Sequence, residues 1–292
     1  MRLATIKLQQ RETAVIVTAR GLLPLEELNR CSGSTWPADL FSLITTGQLA
    51  ALNRWYQQGG KAEIEQLPST LLPLDADYAP LYRRPRKIWG IGLNYAEHAR
   101  DLSESAPSSE PASFMKPDTT IIGPGDTVQI PRLSERTTGE AELGLVIGQQ
   151  CRNVPQQDAY QVIAGFVPII DMTAEDILQR NPRNLTLSKS FDSFFSFGPH
   201  LVTPDEIDDP LALNVATYLN GSLHRRNVVA NMTFRPDFLI AFHSQVMTLL
   251  PGDIISTGTP GAAVIRNGDL IEARIDGFPH LANPVEDLKL TS

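Results

Sequence analysis

The stretch GEAELGLVIG, residues 139–148, is the part of the sequence that best indicates the fold and its chemistry. Its residue types alternate, so in a β-strand Glu140 and Glu142 share one face, and residues 141, 143, 145 and 147 form an apolar core face. Two carboxylates about 7 Å apart on one strand face repel each other and are costly on a half-buried surface unless a cation neutralises them. A solvated strand face with two exposed acids is the alternative that this stretch leaves open.

A third acid ends another apolar run. AGFVPIID, residues 164–171, predicts a fully buried strand with Asp171 at its end. Asp171 can cap the helix predicted for residues 173–180, and it can also join Glu140 and Glu142 as a metal ligand. Three carboxylates with open positions suit Mg²⁺ or Mn²⁺, with Ca²⁺ as a further possibility, and the lack of His or Cys beside them in the sequence argues against zinc.

Two further residues are candidates for catalysis. His98 follows the apolar strand KIWGIGL, residues 87–93, and Asp101 would lie on the same side of a helical turn, where it could orient the imidazole. A structural histidine is the alternative. Lys189 precedes a Phe-rich run, where a lysine can be desolvated and directed at a substrate oxyanion, although a surface lysine fits the local sequence equally well.

A glycine-rich turn, STGTPG at residues 256–261, follows a short apolar strand. Its N–H groups and the Thr259 hydroxyl could hold a substrate carboxylate, so Gly258 and Thr259 are candidates for substrate binding. The turn is not a phosphate-binding loop, because no Gly-Lys-Ser/Thr follows it, and GIGLNY at residues 90–95 is not a dinucleotide-binding fingerprint.

The remaining pattern predicts an α+β protein that is predominantly β. From Lys87 onward, short β-branched segments are separated by turns, three of them Gly-Asp pairs. Residues 233–249 predict one helix with Phe234, Phe238, Phe242, Val246 and Leu249 on its packed face, and residues 103–113 predict a mobile loop.

The N-terminal residues predict a small α/β unit. Two strands come first, and a helix is expected over residues 40–58. Four prolines between residues 66 and 86 predict an extended linker, since proline withholds a backbone N–H group. We therefore expect domains at residues 1–75 and 76–292.

The composition excludes several classes of protein. The net charge is −8, which argues against nucleic acid as a partner. Two cysteines, an N-terminus without an apolar run and the lack of about 20 consecutive apolar residues predict a cytoplasmic protein with no membrane span.

Seven motifs resemble the fumarylacetoacetate hydrolase family in order and spacing. They are GLNYAEHA (92–99), FMKP (114–117), GEAELGLVIG (139–148), IIDMTAEDIL (169–178), LSKSFDSFFSFGP (187–199), MTLLPGDIISTGTPG (247–261) and NGDLIEARIDG (267–277). The resemblance covers residues 87–285, and the first 75 residues look like the small accessory domain of many members.

This resemblance implies a mixed β-sandwich or β-roll catalytic domain, a homodimer, and Mg²⁺ or Mn²⁺ on Glu140, Glu142 and Asp171. In the family, the histidine matching His98 works with a nearby glutamate, and the lysine matching Lys189 holds substrate oxygens. Lys116 of the FMKP motif is likewise expected to contact the substrate, together with Gly258 and Thr259.

The chain departs from the family pattern at two places. Asp101 stands where many acylpyruvate-cleaving relatives have glutamate three residues after the histidine. Glu175 and Leu178 stand where relatives tend to have arginine and glutamine, and glutamate reverses the charge that would hold a substrate carboxylate. Arg180 or Arg183 could replace that arginine from the following loop.

The function expected from these features is metal-dependent hydrolysis of a C–C bond in a small β-diketo or acylpyruvate-type acid, through a metal-stabilised enolate and water activated by His98. A dienedioate isomerase or decarboxylase, or an oxaloacetate decarboxylase, would use the same site. A relative that binds a keto acid or a metal without turnover is the non-enzymatic alternative.

Overall fold

The computed structural model describes residues 1–67, 71–101 and 107–290, with Asp101 described by its backbone alone. The strands are β1 Arg2–Leu8, β2 Arg11–Thr18, β3 Gly21–Pro24, β4 Ile88–Gly92, β5 Ala112–Lys116, β6 Ile121–Ile122, β7 Val128–Ile130, β8 Thr137–Ile147, β9 Ile163–Ala174, β10 Phe195–Phe197, β11 His200–Val202, β12 Asn214–Leu219, β13 Ser222–Val228, β14 Ile254–Ser256, β15 Ala262–Val264, β16 Leu270–Ile275 and β17 Leu281–Asp287. The helices are α1 Leu25–Ser32, α2 Leu40–Thr45, α3 Gln48–Trp55, α4 Lys61–Gln66, α5 Ala96–Asp101, α6 Glu175–Arg180, α7 Leu185–Lys189 and α8 Pro236–Val246.

Two mixed sheets form the frame of the molecule. The larger sheet has the strand order β3-β2-β1-β11-β9-β8-β14-β4-β5, with β10 and β15 paired to β9 and β8, and the smaller sheet has the order β13-β12-β16-β17-β7. Most pairs are antiparallel, but three are parallel: β14 with β4, β17 with β7, and β10 with β6. The architecture is therefore α+β and predominantly β, as the sequence predicts.

The two sheets pack face to face around one core. Leu143 and Leu145 of β8 share a buried cluster with Ile271 and Ala273 of β16. The opposite face of β8 is buried as well, because Val146 belongs to a second cluster. The alternation predicted for this strand is confirmed, but both of its faces are covered, so β8 is a central strand.

The pairing of β8 with β9 forms the centre of the larger sheet. The two strands are antiparallel over their whole length, and every residue of both is buried. The apolar run before Asp171 is thus a buried strand, as predicted, and it continues three residues further to Ala174.

The N-terminal residues join the same sheet. β1 pairs with β11 through Leu3 and Leu201. Leu3 and Leu23 lie in one apolar cluster with Val146 and Ile254, so residues on both sides of position 75 share a core. The domain division at residue 75 stays a prediction, and Pro68–Thr70 of the predicted linker lie outside the described residues.

Three local predictions are wrong in extent. The helix expected over 40–58 is divided, because Gly47 has a φ of 73° between α2 and α3. The loop expected over 103–113 ends earlier, since Ala112 and Ser113 begin β5, and residues 103–106 of it lie outside the described residues.

The third is the helix expected over 233–249, which runs only from Pro236 to Val246. It buries Leu239, Ile240 and His243, whereas Val246 is 53% exposed. The side chain of Asn94 binds the backbone of Phe234, which holds that residue outside the helix. None of the helices in the described parts of the chain is long and apolar enough to cross a membrane.

Candidate metal centre and active site

The β8–β9 pairing brings the three predicted acids together. Glu140 lies directly opposite Asp171, and Glu142 is two residues further on the same face of β8. Glu140, Glu142 and Asp171 each offer a carboxylate oxygen, and these oxygens lie within 4.8 Å of one another. The three residues are 8%, 1% and 0% exposed, so the alternative of a solvated strand face is wrong.

Asp171 does not cap a helix. It lies inside β9, and the helix that follows has Ala174 at its N-cap with no side-chain capping bond. The side chain of Asp171 is instead held by two lysines, which leaves its role at the acidic cluster as the one the structure supports.

Lys189 lies against this cluster. Its Nζ donates to Oε2 of Glu140 at 3.0 Å and to Oδ2 of Asp171 at 2.8 Å, and it lies 4.8 Å from the centre of the Phe114 ring. Lys189 is 5% exposed, so the alternative of a surface lysine is wrong. Burial disfavours its charge, but Asp171, Glu140 and Glu142 outweigh that cost and raise the Lys189 pKa above its ordinary value.

Lys116 lies behind the acids and not at the cavity wall. Its Nζ donates to Oδ1 of Asp171 at 2.6 Å and to the Met172 carbonyl at 3.3 Å, and its side chain is 0% exposed. Burial lowers the Lys116 pKa to about 8, against the attraction of Asp171. We propose that Lys116 positions Asp171, in place of the substrate contact expected from the sequence.

Hydroxyl groups hold the other two acids. Oε1 of Glu140 accepts from the Thr173 hydroxyl at 2.6 Å and from the Thr138 hydroxyl at 3.3 Å. The sequence analysis missed both threonines. Each lies two residues from an acid on the same strand face, Thr138 before Glu140 and Thr173 after Asp171, so the alternation that identified the acids could also have identified them.

Glu142 is held by the turn that follows β14. Its Oε2 accepts from the Ser256 hydroxyl at 2.5 Å and from the Gly258 N–H at 2.7 Å. This N–H is therefore used on a carboxylate of the protein, whereas the sequence analysis assigned it to a substrate carboxylate. Gly258 has a φ of 96°, and a Cβ there would lie 2.7 Å from Cβ of Asn94, so this close approach requires glycine.

The residues present fit a divalent cation. Three carboxylates and two lysine ammonium groups leave one negative charge in a buried space. Burial raises the pKa of Glu142 to about 8, with Asp171 and Glu140 adding to the shift. A cation with hard oxygen ligands, such as Mg²⁺, Mn²⁺ or Ca²⁺, would let all three acids ionise together, and the donor set contains no sulfur or imidazole.

A cavity of about 470 Å³ opens beside Glu140 and Lys189. His98 and Thr259 both line it, so the structure brings these predicted residues to the same space as the acids. His98 lies on α5 and is 6% exposed. The side chain of Asp101, its expected partner, lies outside the described residues, so the His98–Asp101 pair stays a prediction.

The segment before α5, the helix that carries His98, is tied to the Gly258 turn. Asn94, which is fully buried, donates from Nδ2 to the carbonyls of Thr257 and Phe234, and its Oδ1 accepts from the Phe234 N–H. Asn94 thereby fixes the start of α5 relative to the turn that holds Glu142. The sequence analysis did not identify this residue.

The two departures from the family pattern lie on the cavity wall. Glu175 and Leu178 both line the cavity, and Glu175 accepts from Arg136 Nε at 2.6 Å and from Gln179 Nε2 at 3.0 Å. Arg180 and Arg183 do not line it. The structure therefore does not support the suggestion that either of these replaces the missing arginine.

Comparison with known proteins places the chain among its relatives. The model of the fumarylacetoacetate (FAA) hydrolase C-terminal domain matches residues 87–286. An uncharacterized protein of Pyrococcus horikoshii is 41% identical over 220 residues, which are 74% of this chain and 94% of that protein. The mitochondrial oxaloacetate tautomerase fahd2 of Xenopus laevis is 37% identical over 210 residues, which are 69% of this chain and 66% of that protein.

A solved structure shows the same fold over nearly the whole chain. Maleylpyruvate hydrolase from Sphingobium sp. SYK-6, in complex with a manganese(II) ion and pyruvate, superposes with a TM-score of 0.78 at 27% identity and covers 98% of this chain and 99% of that one. Both the family model and the 41% identical relative extend over more than two thirds of the sequence. The chain therefore belongs to the fumarylacetoacetate hydrolase family.

Proposed function

We propose that this chain is a divalent-cation-dependent enzyme that cleaves a C–C bond of an acylpyruvate by hydrolysis. The observation that carries the proposal is the buried cluster of Glu140, Glu142 and Asp171 beside a cavity that also contains His98 and Lys189. The maleylpyruvate hydrolase that shares the fold was solved with manganese and pyruvate, which supports both the cation and the product class.

Mg²⁺ or Mn²⁺ at this cluster would stabilise the enolate that develops when the C–C bond breaks. Glu140, Glu142 and Asp171 would hold the cation, with Lys116 and Lys189 fixing two of these carboxylates. Thr259 lines the cavity and its hydroxyl donates to the Gly261 carbonyl at 3.2 Å, so it would have to turn from this carbonyl to donate to a substrate oxygen.

His98, which lines the cavity, would transfer the protons of this reaction. It would accept a proton from water as the water oxygen bonds to the acyl carbonyl carbon. The C–C bond then breaks, pyruvate leaves as its enolate, and His98 returns the proton to the enolate carbon. The products are pyruvate and a carboxylic acid, and Asp101 would stabilise the protonated imidazole.

Keto–enol tautomerisation of oxaloacetate is a second candidate. It is favoured by the 37% identical relative that is named an oxaloacetate tautomerase. Tautomerisation moves a proton between carbon and oxygen without breaking a C–C bond, so His98 and the same acids would suffice. Fold and family membership do not distinguish the two reactions.

The test is a comparison of both substrates on the purified chain with Mg²⁺ or Mn²⁺. We expect 2,4-dioxopentanoate to yield pyruvate, measured by a coupled dehydrogenase assay. His98→Asn should lower kcat by about 10²- to 10⁴-fold while Mn²⁺ affinity stays unchanged. If the chain instead accelerates the decay of the ultraviolet absorbance of enol oxaloacetate and releases no pyruvate from 2,4-dioxopentanoate, the tautomerase proposal replaces the hydrolase proposal. Full activity in His98→Asn would contradict the assigned role of the histidine.

A further inference from the structure

The walls of the cavity differ in polarity. The wall nearest the acidic cluster is polar. Its side chains bind one another, because Glu140 accepts hydrogen bonds from Thr138, Thr173 and Lys189. The helices α6 and α7 and the segment between them provide another wall. Its apolar residues are Leu178, Pro182 and Leu185.

The described wall of the cavity carries a lysine side chain only at the acidic cluster. Among the described residues that line the cavity, Lys189 is the only lysine or arginine, and Glu140 and Asp171 already hold its ammonium group. The charged group on the α6 wall is Glu175, whose side chain is 10% exposed. A substrate carboxylate at this wall would therefore meet an anion, apolar side chains and the Gln179 amide, which already donates to Glu175 at 3.0 Å.

We propose that the cavity takes a 2-oxo acid with one carboxylate and a neutral, apolar far end, and that Glu175 disfavours a second carboxylate there. This inference rests on the proposed function, since it assumes that the 2-oxo acid end of the substrate lies at the acidic cluster. The alkyl chain would pack against Leu178 and Leu185, and Glu175 would be a specificity-determining residue.

A preference for dicarboxylates would require a positive charge near Glu175, and Arg136 is the residue that could supply it. Its Nε donates to Glu175, but its side chain is 50% exposed and Arg136 does not line the cavity. A half-exposed guanidinium is screened by solvent, so it reduces the repulsion from Glu175 without cancelling it. If Arg136 instead turned inward to bind a substrate carboxylate, removing it would weaken dicarboxylates even in a Glu175→Gln background.

The test uses two ligands of equal chain length, 2-oxohexanoate and 2-oxohexanedioate, which differ only by a terminal methyl or carboxylate. Their affinities are measured by calorimetry on the full chain with saturating Mn²⁺. We expect 2-oxohexanoate to bind about tenfold more tightly to the natural protein. Glu175→Gln, which is isosteric, should tighten the dicarboxylate several-fold and leave the monocarboxylate unchanged. Arg136→Gln added to Glu175→Gln should leave both affinities unchanged, because Arg136 acts on the ligand only through Glu175.

Several outcomes would overturn the inference: tighter binding of the dicarboxylate, an equal effect of Glu175→Gln on both ligands, selective weakening of the dicarboxylate when Arg136→Gln is added to Glu175→Gln, or no binding of either acid. Turnover of 2,4-dioxopentanoate is measured separately. No turnover with the ligand preference intact would remove the proposed reaction and leave this inference standing. Turnover of 2,4-dioxopentanoate without the preference for the monocarboxylate would remove this inference and leave the proposed reaction standing.

Discussion

At the residue scale, the pairing of β8 with β9 brings Glu140, Glu142 and Asp171 together, and hydroxyl, ammonium and backbone N–H groups hold their carboxylates. Alternation in residues 139–148 placed Glu140 and Glu142 on one face, and the apolar run before Asp171 marked a buried strand. The partners of these acids were less predictable. Lys116 is separated from Asp171 by 55 positions in the chain and lies on β5, four strands from β9 in the larger sheet, so no local pattern predicts their contact.

The hydroxyl on Thr173 gives a prediction at the residue scale. It donates to Glu140 at 2.6 Å, so Thr173→Val should loosen this ligand and lower Mn²⁺ affinity about tenfold, with little change in the free energy of unfolding. Calorimetric titration with Mn²⁺ measures the affinity. Thr138→Val is the matched control, because its bond of 3.3 Å is weaker and its effect should be smaller. Equal losses of Mn²⁺ affinity in Thr173→Val and Thr138→Val would contradict the role given to Thr173.

A buried histidine gives a prediction on pH. Burial lowers the pKa of His200 from 6.5 to about 4, with Arg2 adding to the shift. Well above pH 6.5 the His200 ring is neutral in both the folded and the unfolded chain, so it does not lower the free energy of unfolding. Between pH 6.5 and 4 the unfolded chain binds a proton that the folded chain does not, so the free energy of unfolding falls by up to about 3 kcal/mol.

His200→Gln removes this titration. Denaturant unfolding at pH 7 and pH 5 should therefore show a smaller loss of stability in His200→Gln than in the natural protein. The exposed His280, with a side chain 55% accessible, serves as control, since His280→Gln should leave the loss unchanged. An unaltered pH dependence in His200→Gln would show that this ring does not titrate as described.

At the scale of elements, strands were predicted better than helix ends. The strand pattern depends on side-chain alternation, which is local, whereas α8 is shortened by contacts from distant residues. Asn94 holds Phe234, and Leu249 pairs its backbone with Cys151 as an isolated bridge. Neither contact can be read from the sequence near residues 233–249.

The turn between β14 and β15 gives a prediction at this scale. Gly258→Ala would place a Cβ 2.7 Å from Asn94 Cβ and 3.0 Å from the Ile91 carbonyl oxygen, so the turn must shift away from Glu142. We expect a loss of about 2 to 3 kcal/mol in stability and weaker Mn²⁺ binding. Gly268→Ala is the control: φ is 83° but nothing lies within 4 Å, so it should cost about 1 kcal/mol without affecting Mn²⁺. Equal Mn²⁺ affinities in the two variants would contradict this account.

At the scale of the whole molecule, the mixed two-sheet frame was predicted, but the joining of the N-terminal strands to it was not. The pair Leu3–Leu201 closes a loop of nearly 200 residues, and no local pattern indicates such a contact.

Truncation tests this joining. A fragment of residues 76–292 would expose the edge of β11 and lose the cluster that Leu3 and Leu23 share with Val146 and Ile254. We expect it to melt well below the intact chain or to aggregate, as followed by circular dichroism. A cooperative melt at the temperature of the intact chain would instead support two independent domains.

The central claim is that Glu140, Glu142 and Asp171 together hold one divalent cation. Calorimetric titration of the metal-free chain with Mn²⁺, repeated on Glu142→Gln, tests it most directly. The account predicts one Mn²⁺ per chain and a loss of affinity of at least about 100-fold in Glu142→Gln, with the circular dichroism spectrum unchanged. Binding of equal strength in both proteins, or no binding to the natural chain, would contradict it.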